Sequence, residues 1–202
     1  MKKVILGLGT ALVALSMSLP AMAATTSKYQ VKGENAYADF YKFDECSQTG
    51  VSVFGANNVT KNSPGSPTTQ KDAYLYYWNY NFCTGAASSG YGSSTDFTFT
   101  ADKQLNSASL TGTFTVTDYN SETTKNVPVS INWTGTGEIS RGNSHSRYQG
   151  AGYSSNYRST GSYRQANVSG SVTVDGSNIL AGLTGYGNLN SSTSASLEII
   201  RR

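Results

Sequence analysis

Leu110-Thr111-Gly112-Thr113-Phe114-Thr115-Val116-Thr117 decides the fold class. Every second residue is apolar or glycine, and every residue between is threonine. Successive side chains of an extended chain point to opposite faces, so this stretch offers one face to a core and one to water. A helix would scatter the same residues around its circumference. The pattern recurs at Phe97 and Phe99, at Val127, Val129, Ile131 and Trp133, at Val168, Gly170, Val172 and Val174, and at Leu197 and Ile199. Turn formers sit between the runs: Gly33-Glu34-Asn35, Gly55-Ala56-Asn57-Asn58, Asn62-Ser63-Pro64-Gly65, Asp118-Tyr119-Asn120 and Asp175-Gly176. This spacing predicts an all-β protein, an antiparallel β-sandwich of about nine or ten strands. An eight-stranded outer-membrane barrel would share the alternation but needs an apolar band toward lipid. Here the second face is mostly Thr, Ser, Asn or Lys, so the apolar face is read as a protein core.

Composition agrees with this reading. Charged residues are 13 % of the 202, aromatics 11 %, and 14 of the aromatics are Tyr. An average globular protein carries about 25 % charged residues. The aromatic content excludes a disordered acidic chain, and the scarcity of Glu, Lys, Ala and Leu excludes a helical bundle.

The amino terminus reads as a cleaved secretory signal peptide over 1–23. Lys2 and Lys3 precede an apolar run over 4–19, and Ala21-Met22-Ala23 supplies the cleavage pattern. The run is short for a membrane span of about 20 residues. A single β domain over 24–202 is expected to follow, exported to the periplasm or the cell exterior, with no transmembrane segment. Without Lys2 and Lys3 the 15 basic residues fall nearly level with the 12 acidic ones, so net charge steers nothing. Cys46 and Cys83 form an even pair outside any C-x-x-C motif. In an oxidising compartment they read as one structural disulfide, worth about 3–4 kcal/mol by loop-closure entropy. The aromatic blocks 37–43 and 74–82, each beside a cysteine, are expected to pair as neighbouring strands.

Catalytic constellations are sparse. His145 is the single histidine, so a His-rich metal site is excluded, and no G-x-S-x-G elbow or phosphate loop occurs. No cofactor, metal or enzymatic activity is expected. Binding surfaces are better supported. Along 74–82, Tyr74, Tyr76, Trp78, Tyr80 and Phe82 share one strand face, which reads as core because large aromatics bury the most area. The opposite face then exposes Tyr77 flanked by Asn79 and Asn81, a ring beside amides that suits sugar recognition. The threonine row 111–117 reads as an ordinary solvent face.

The most unusual stretch is 139–174, which contains no acidic residue. It carries Arg141, His145, Arg147, Arg158 and Arg164, interleaved with Tyr148, Tyr157 and Tyr163. Arginine forks bind phosphate, sulfate and carboxylate, and tyrosine adds stacking. The expected function is therefore non-catalytic binding of a glycan or an anionic polymer. The alternative is a structural or adhesive protein that self-associates through strand edges.

Overall fold

The computed structural model describes residues 24–200; the expected signal peptide lies outside the described residues. The chain runs β1 (Thr25–Phe43), β2 (Ser47–Ser63), β3 (Thr68–Asn81), β4 (Ala87–Ser93), β5 (Phe97–Ala101), β6 (Ser107–Asp118), β7 (Thr124–Gly150), β8 (Tyr153–Val174), the two-residue β9 (Ser177–Asn178) and β10 (Thr184–Ile200). The all-β antiparallel fold is as the alternation predicts, and the Cys46–Cys83 disulfide is as the cysteine pair predicts. Among the described residues no helix is long and apolar enough to cross a membrane.

Neighbouring strands pair in the order β10-β1-β2-β3-β4-β6-β7-β8-β9, and β10 also pairs β8. The two layers of the expected sandwich are thus one continuous sheet that closes on itself. Strands β4 and β5 lie along the same edge of β6, at Ser93↔Thr115 and Phe97↔Gly112, and act as one interrupted strand. Alternation says which side of a strand is dry, not which strands are neighbours, so closure was not readable from it.

The core fills the ring. Leu110, Phe114, Val116, Val127, Ile131, Trp133 and Val172 are fully buried, while Thr111, Thr113, Thr115 and Thr117 are exposed. A ring of eight strands leaves an interior only wide enough for side chains, so large residues must meet small ones. Trp133 reaches past β8 and β10, and its indole N–H donates to the Tyr37 carbonyl at 2.9 Å. Gly187 makes room for it: a Cβ there would sit 2.9 Å from the indole. Phe99 lies against Gly55, where a Cβ would come within 2.7 Å of the ring.

Two of the expected turns are strand interiors. Gly33-Glu34-Asn35 lies within β1 and Gly55-Ala56-Asn57-Asn58 within β2. Gly55 is there for close approach of Phe99, and a Cβ on Gly33 would strike Asn58. Asn62-Ser63-Pro64-Gly65 and Asp118-Tyr119-Asn120 fall at strand ends, where the chain turns over 64–67 and 119–123, and Asp175-Gly176 turns as expected. Asp175 and Gly176 both have positive φ, 49° and 79°, as a two-residue type I′ hairpin requires.

Blocks 37–43 and 74–82 are not paired with each other, because β2 lies between β1 and β3. Cys46–Cys83 instead ties the β1–β2 turn to the β3–β4 turn at one end of the ring. Truncating Trp133 to Ala should cost about 3–5 kcal/mol in urea denaturation. Thr113→Ala should stay within about 0.5 kcal/mol. A Trp133→Ala loss as small as that of Thr113→Ala would contradict the packing described.

Candidate functional site

The acid-free segment runs from the distal half of β7 through the whole of β8, and both strands run well past the closing strands β4 to β6. β6 pairs β7 only as far as Thr134, whereas β7 and β8 stay paired to Gly150↔Tyr153. Beyond the ring, β3, β2, β1, β10, β8 and β7 continue side by side as an open extension. Residues 137–150 of β7 are nearly all exposed, and β10 is half-buried over 193–199.

Alternation divides the expected Arg/Tyr site between two faces. Residues such as Arg147 and Tyr148, or Tyr157 and Arg158, are adjacent in a strand and must point opposite ways. Following the uninterrupted register from Ala36 and Ala38, which face the core, Arg141, His145, Arg147 and Arg158 continue the inner wall. Tyr148, Tyr157 and Tyr163 stand on the outer face, so arginine and tyrosine do not converge on one ligand. Arg164 is on the inner side but is occupied structurally. It donates to the Gly137 carbonyl at 3.2 Å, the Leu105 carbonyl at 3.4 Å and Asn106 Oδ1 at 2.7 Å.

Register brings cations from the other side of the molecule onto the same inner face. One row across the sheet reads Lys61, Gln30, Ala195, Arg158, His145. The next outward reads Ser63, Lys28, Leu197, Asn156, Arg147. Toward the ring, Lys32 lies in a row ending at Asn143, and the row after it holds Lys71, Asn57, Glu34, Ser191, Ser162 and Arg141. Rows on one face are about 6.8 Å apart and strands about 4.8 Å. Lys28, Lys32, Lys61, Lys71, Arg141, Arg147 and Arg158 are all exposed. Glu34 is the one acid in these rows. Between Lys28 and Arg158, Ala195 and Leu197 floor a hollow of about 280 Å³ that Gln30 and Asn156 also line. The four lysines are 70 to 130 residues distant in sequence from the arginines, and only the register could reveal the grouping. His145 Nε2 lies 3.0 Å from Asn156 Oδ1. Among the described residues no cluster of His, Cys, Asp or Glu could hold a metal.

The faces of β3 are the reverse of those expected. Ala73 and Leu75 are buried, and Tyr77 packs against the core. Asn79 donates to Thr49 Oγ1 at 2.6 Å, and the Asn81 side chain accepts the N–H groups of Cys83 and Thr84 to cap the turn. Tyr77 and Asn79 line a hollow of about 410 Å³ at the disulfide end of the ring, with Asp118 and the Lys125–Asp175 pair, 2.6 Å apart. This end is remote from the basic face. Tyr74, Tyr76, Trp78, Tyr80 and Phe82 point outward. Five large rings on one wall would overfill a narrow interior already occupied by Phe99, Phe114 and Trp133 from elsewhere.

That outward face builds a cleft from residues scattered between 39 and 186 of the sequence. Asp39, Tyr41, Phe43, Gln48, Ser52, Trp78 and Tyr186 line a hollow of about 400 Å³. Trp78 lies over its cross-strand neighbour Gly50, where a Cβ would come within 2.4 Å of the indole. Asp39 Oδ1 accepts the Tyr37 hydroxyl at 2.7 Å and the Ser52 hydroxyl at 2.5 Å, and Oδ2 accepts the Tyr186 hydroxyl at 3.0 Å. The hydrogen bond to Asp39, then its charge, pushes the Tyr186 phenol above the ordinary tyrosine range. Burial is the main cause of the same upward shift at Tyr37.

Both phenols favour their protonated form more in the folded state than in the unfolded one. Their contribution to stability is therefore complete below the ordinary tyrosine pKa of about 10 and lost as pH rises through the folded values. Absorbance titration at 295 nm should find that Asp39→Asn lowers the Tyr186 midpoint; an unmoved midpoint would rule out the Tyr186–Asp39 bond.

No protein-family model and no curated protein sequence matches the chain. Among solved structures, one provisionally assigned as AttH from Nitrosomonas europaea is similar over 85 % of this chain and 52 % of its own, at 10 % identity and a TM-score of 0.28. This chain thus spans about half the length of that structure.

Proposed function

We propose that the protein is an exported, non-catalytic binder of anionic polymers, acidic glycans first, and that the inner face of its sheet extension is the binding surface. The observation that carries the reading is the face itself: seven exposed Lys and Arg from five strands, with Glu34 as the one acid among them. Several cations in register on a semi-rigid sheet engage a repeating anion at many points and release its condensed counterions. The Ala195–Leu197 floor adds an apolar strip between the charged rows, suited to the carbon faces of sugar rings. The Cys46–Cys83 disulfide fits an oxidising compartment.

Arg141→Ala/Arg147→Ala/Arg158→Ala should elute from a heparin column at clearly lower salt than wild type. Its affinity for sulfated polysaccharide should fall at least tenfold. Lys42 and Lys125, each in a surface ion pair, supply a control pair for comparison with Lys28→Ala/Arg158→Ala, which removes equal charge. Equal losses from the two double variants would sink the face as the site.

A second reading has its own observation. Among the described residues, 140–150 of β7 are paired to β8 on one edge and to no strand on the other, and 68–72 of β3 are likewise open on one side. Open edges accept a further strand, and joining one molecule's β7 edge to another's β3 edge would propagate without closing. On this reading light scattering rises with concentration and Ser144→Pro abolishes the rise. A wild-type monomer at high concentration removes it.

A further inference from the structure

The aromatic cleft on the outer face, opposite in sign to the basic one, has no part in polyanion binding. Its floor is the half-buried carboxylate of Asp39, and among the described residues no Lys, Arg or His lines it. Three hydroxyl donors, from Tyr37, Ser52 and Tyr186, hold both carboxylate oxygens as acceptors. The carboxylate is thus held in place by hydroxyls, with no ion pair to it among the described residues. Around it stand Tyr41, Phe43, Trp78 and Tyr186. The Tyr41 ring is 6.0 Å from Phe43 at 67° and 6.0 Å from Tyr186 at 71°, so these rings enclose a corner rather than a flat platform. Three of the rings are exposed, Phe43 at 61 %, Tyr186 at 52 % and Tyr41 at 39 %, and core packing does not account for them.

We infer that this cleft binds an alkylated ammonium ion, of which the trimethylammonium group is the best match. Such a cation offers charge and methyl surface but no N–H. It needs the negative faces of aromatic rings and a nearby anion, and it makes no demand on carboxylate lone pairs already engaged by hydroxyls. A neutral sugar would need several free amide or carboxylate partners, and among the described residues that line the cleft Gln48 supplies the only side-chain amide. A primary ammonium would need acceptors for three N–H groups and would have to compete with the three hydroxyls. A hollow of about 400 Å³ accommodates a small head group with room for its substituent.

Trp78 lines the cleft and serves as the reporter, whereas Trp133, the second tryptophan, is 1 % exposed and belongs to the core. Titration of the intact mature protein with tetramethylammonium chloride or choline should change Trp78 fluorescence saturably, and sodium chloride or maltose at equal concentration should not. Asp39→Asn, which keeps the shape of the side chain, should weaken the response at least tenfold. Phe43→Leu, at an exposed position that the fold tolerates, should weaken it several-fold while the thermal melt is unchanged. Sedimentation with phosphatidylcholine vesicles, with and without competing choline, separates the two sources of the group. Vesicle binding displaced by choline identifies a lipid head group as the ligand, and choline binding without vesicle binding identifies a free solute. The inference is overturned by an unsaturable response, by a response to maltose in place of the cation, or by Asp39→Asn binding as tightly as wild type.

Discussion

β10, the last strand of the chain, is hydrogen-bonded along both edges, from Thr25↔Ile200 to Tyr41↔Thr184 on β1 and from Gly187↔Ala166 to Ile200↔Tyr153 on β8. That double pairing turns a meander of hairpins into a closed ring and gives the core its walls. Without it β1 and β8 would carry long open edges, and Ala36, Ala38, Leu189 and Val172 would lose the enclosure that keeps them dry. The pairing joins the two termini of the described chain, so it is also the contact of greatest sequence separation and the last for which local structure can prepare. The glycines Gly185 and Gly187 in β10 belong to the same arrangement: they let Phe40, Val168 and Trp133 approach the backbone of the strand that seals the ring.

Unequal strand lengths then divide the molecule in two. The short β4, β5 and β6 end where the ring ends, while six other strands continue as an open sheet wetted on both faces. In the ring, alternation separates dry from wet. In the extension there is nothing to keep dry, and the same alternation separates cations from tyrosines. One period of two thus builds a core at one end and a charge-sorted sheet at the other. Adjacent Arg-Tyr pairs in the sequence look like composite binding elements, yet in a strand adjacency guarantees opposite faces.

Much of the fold was readable along the chain. The threonine strand, the Ile131–Trp133 strand, the Asp175-Gly176 hairpin and the cysteine pair all behave as their local chemistry dictates. The failures share a cause. Gly33 and Gly55 read as turn residues because glycine relieves backbone strain, but here it admits a neighbouring side chain from a distant strand. Tyr74, Tyr76, Trp78, Tyr80 and Phe82 read as core because they are large, but size alone does not say which wall an interior can accept them from. Arg141, Arg147 and Arg158 were visible as a basic run. Lys28, Lys32, Lys61 and Lys71, which share their face, were not, and neither was the gathering of Tyr41, Phe43, Trp78 and Tyr186 around Asp39.

By itself the sequence determined what period two can encode: extended chain, one apolar face per strand, polar hydroxyls on the wet side, and turns where Asp, Asn, Gly and Pro interrupt. It also marked the pair of cysteines and the acid-free stretch. Only the tertiary structure decided which strands are neighbours, where the sheet closes, which strands outrun the ring, and hence which side chains share a face. The reason is physical. Face alternation is a property of the bonded chain and is felt within a few residues. Register and strand order come from long-range hydrogen bonding and from the fit of large side chains against small ones across an interior of limited width.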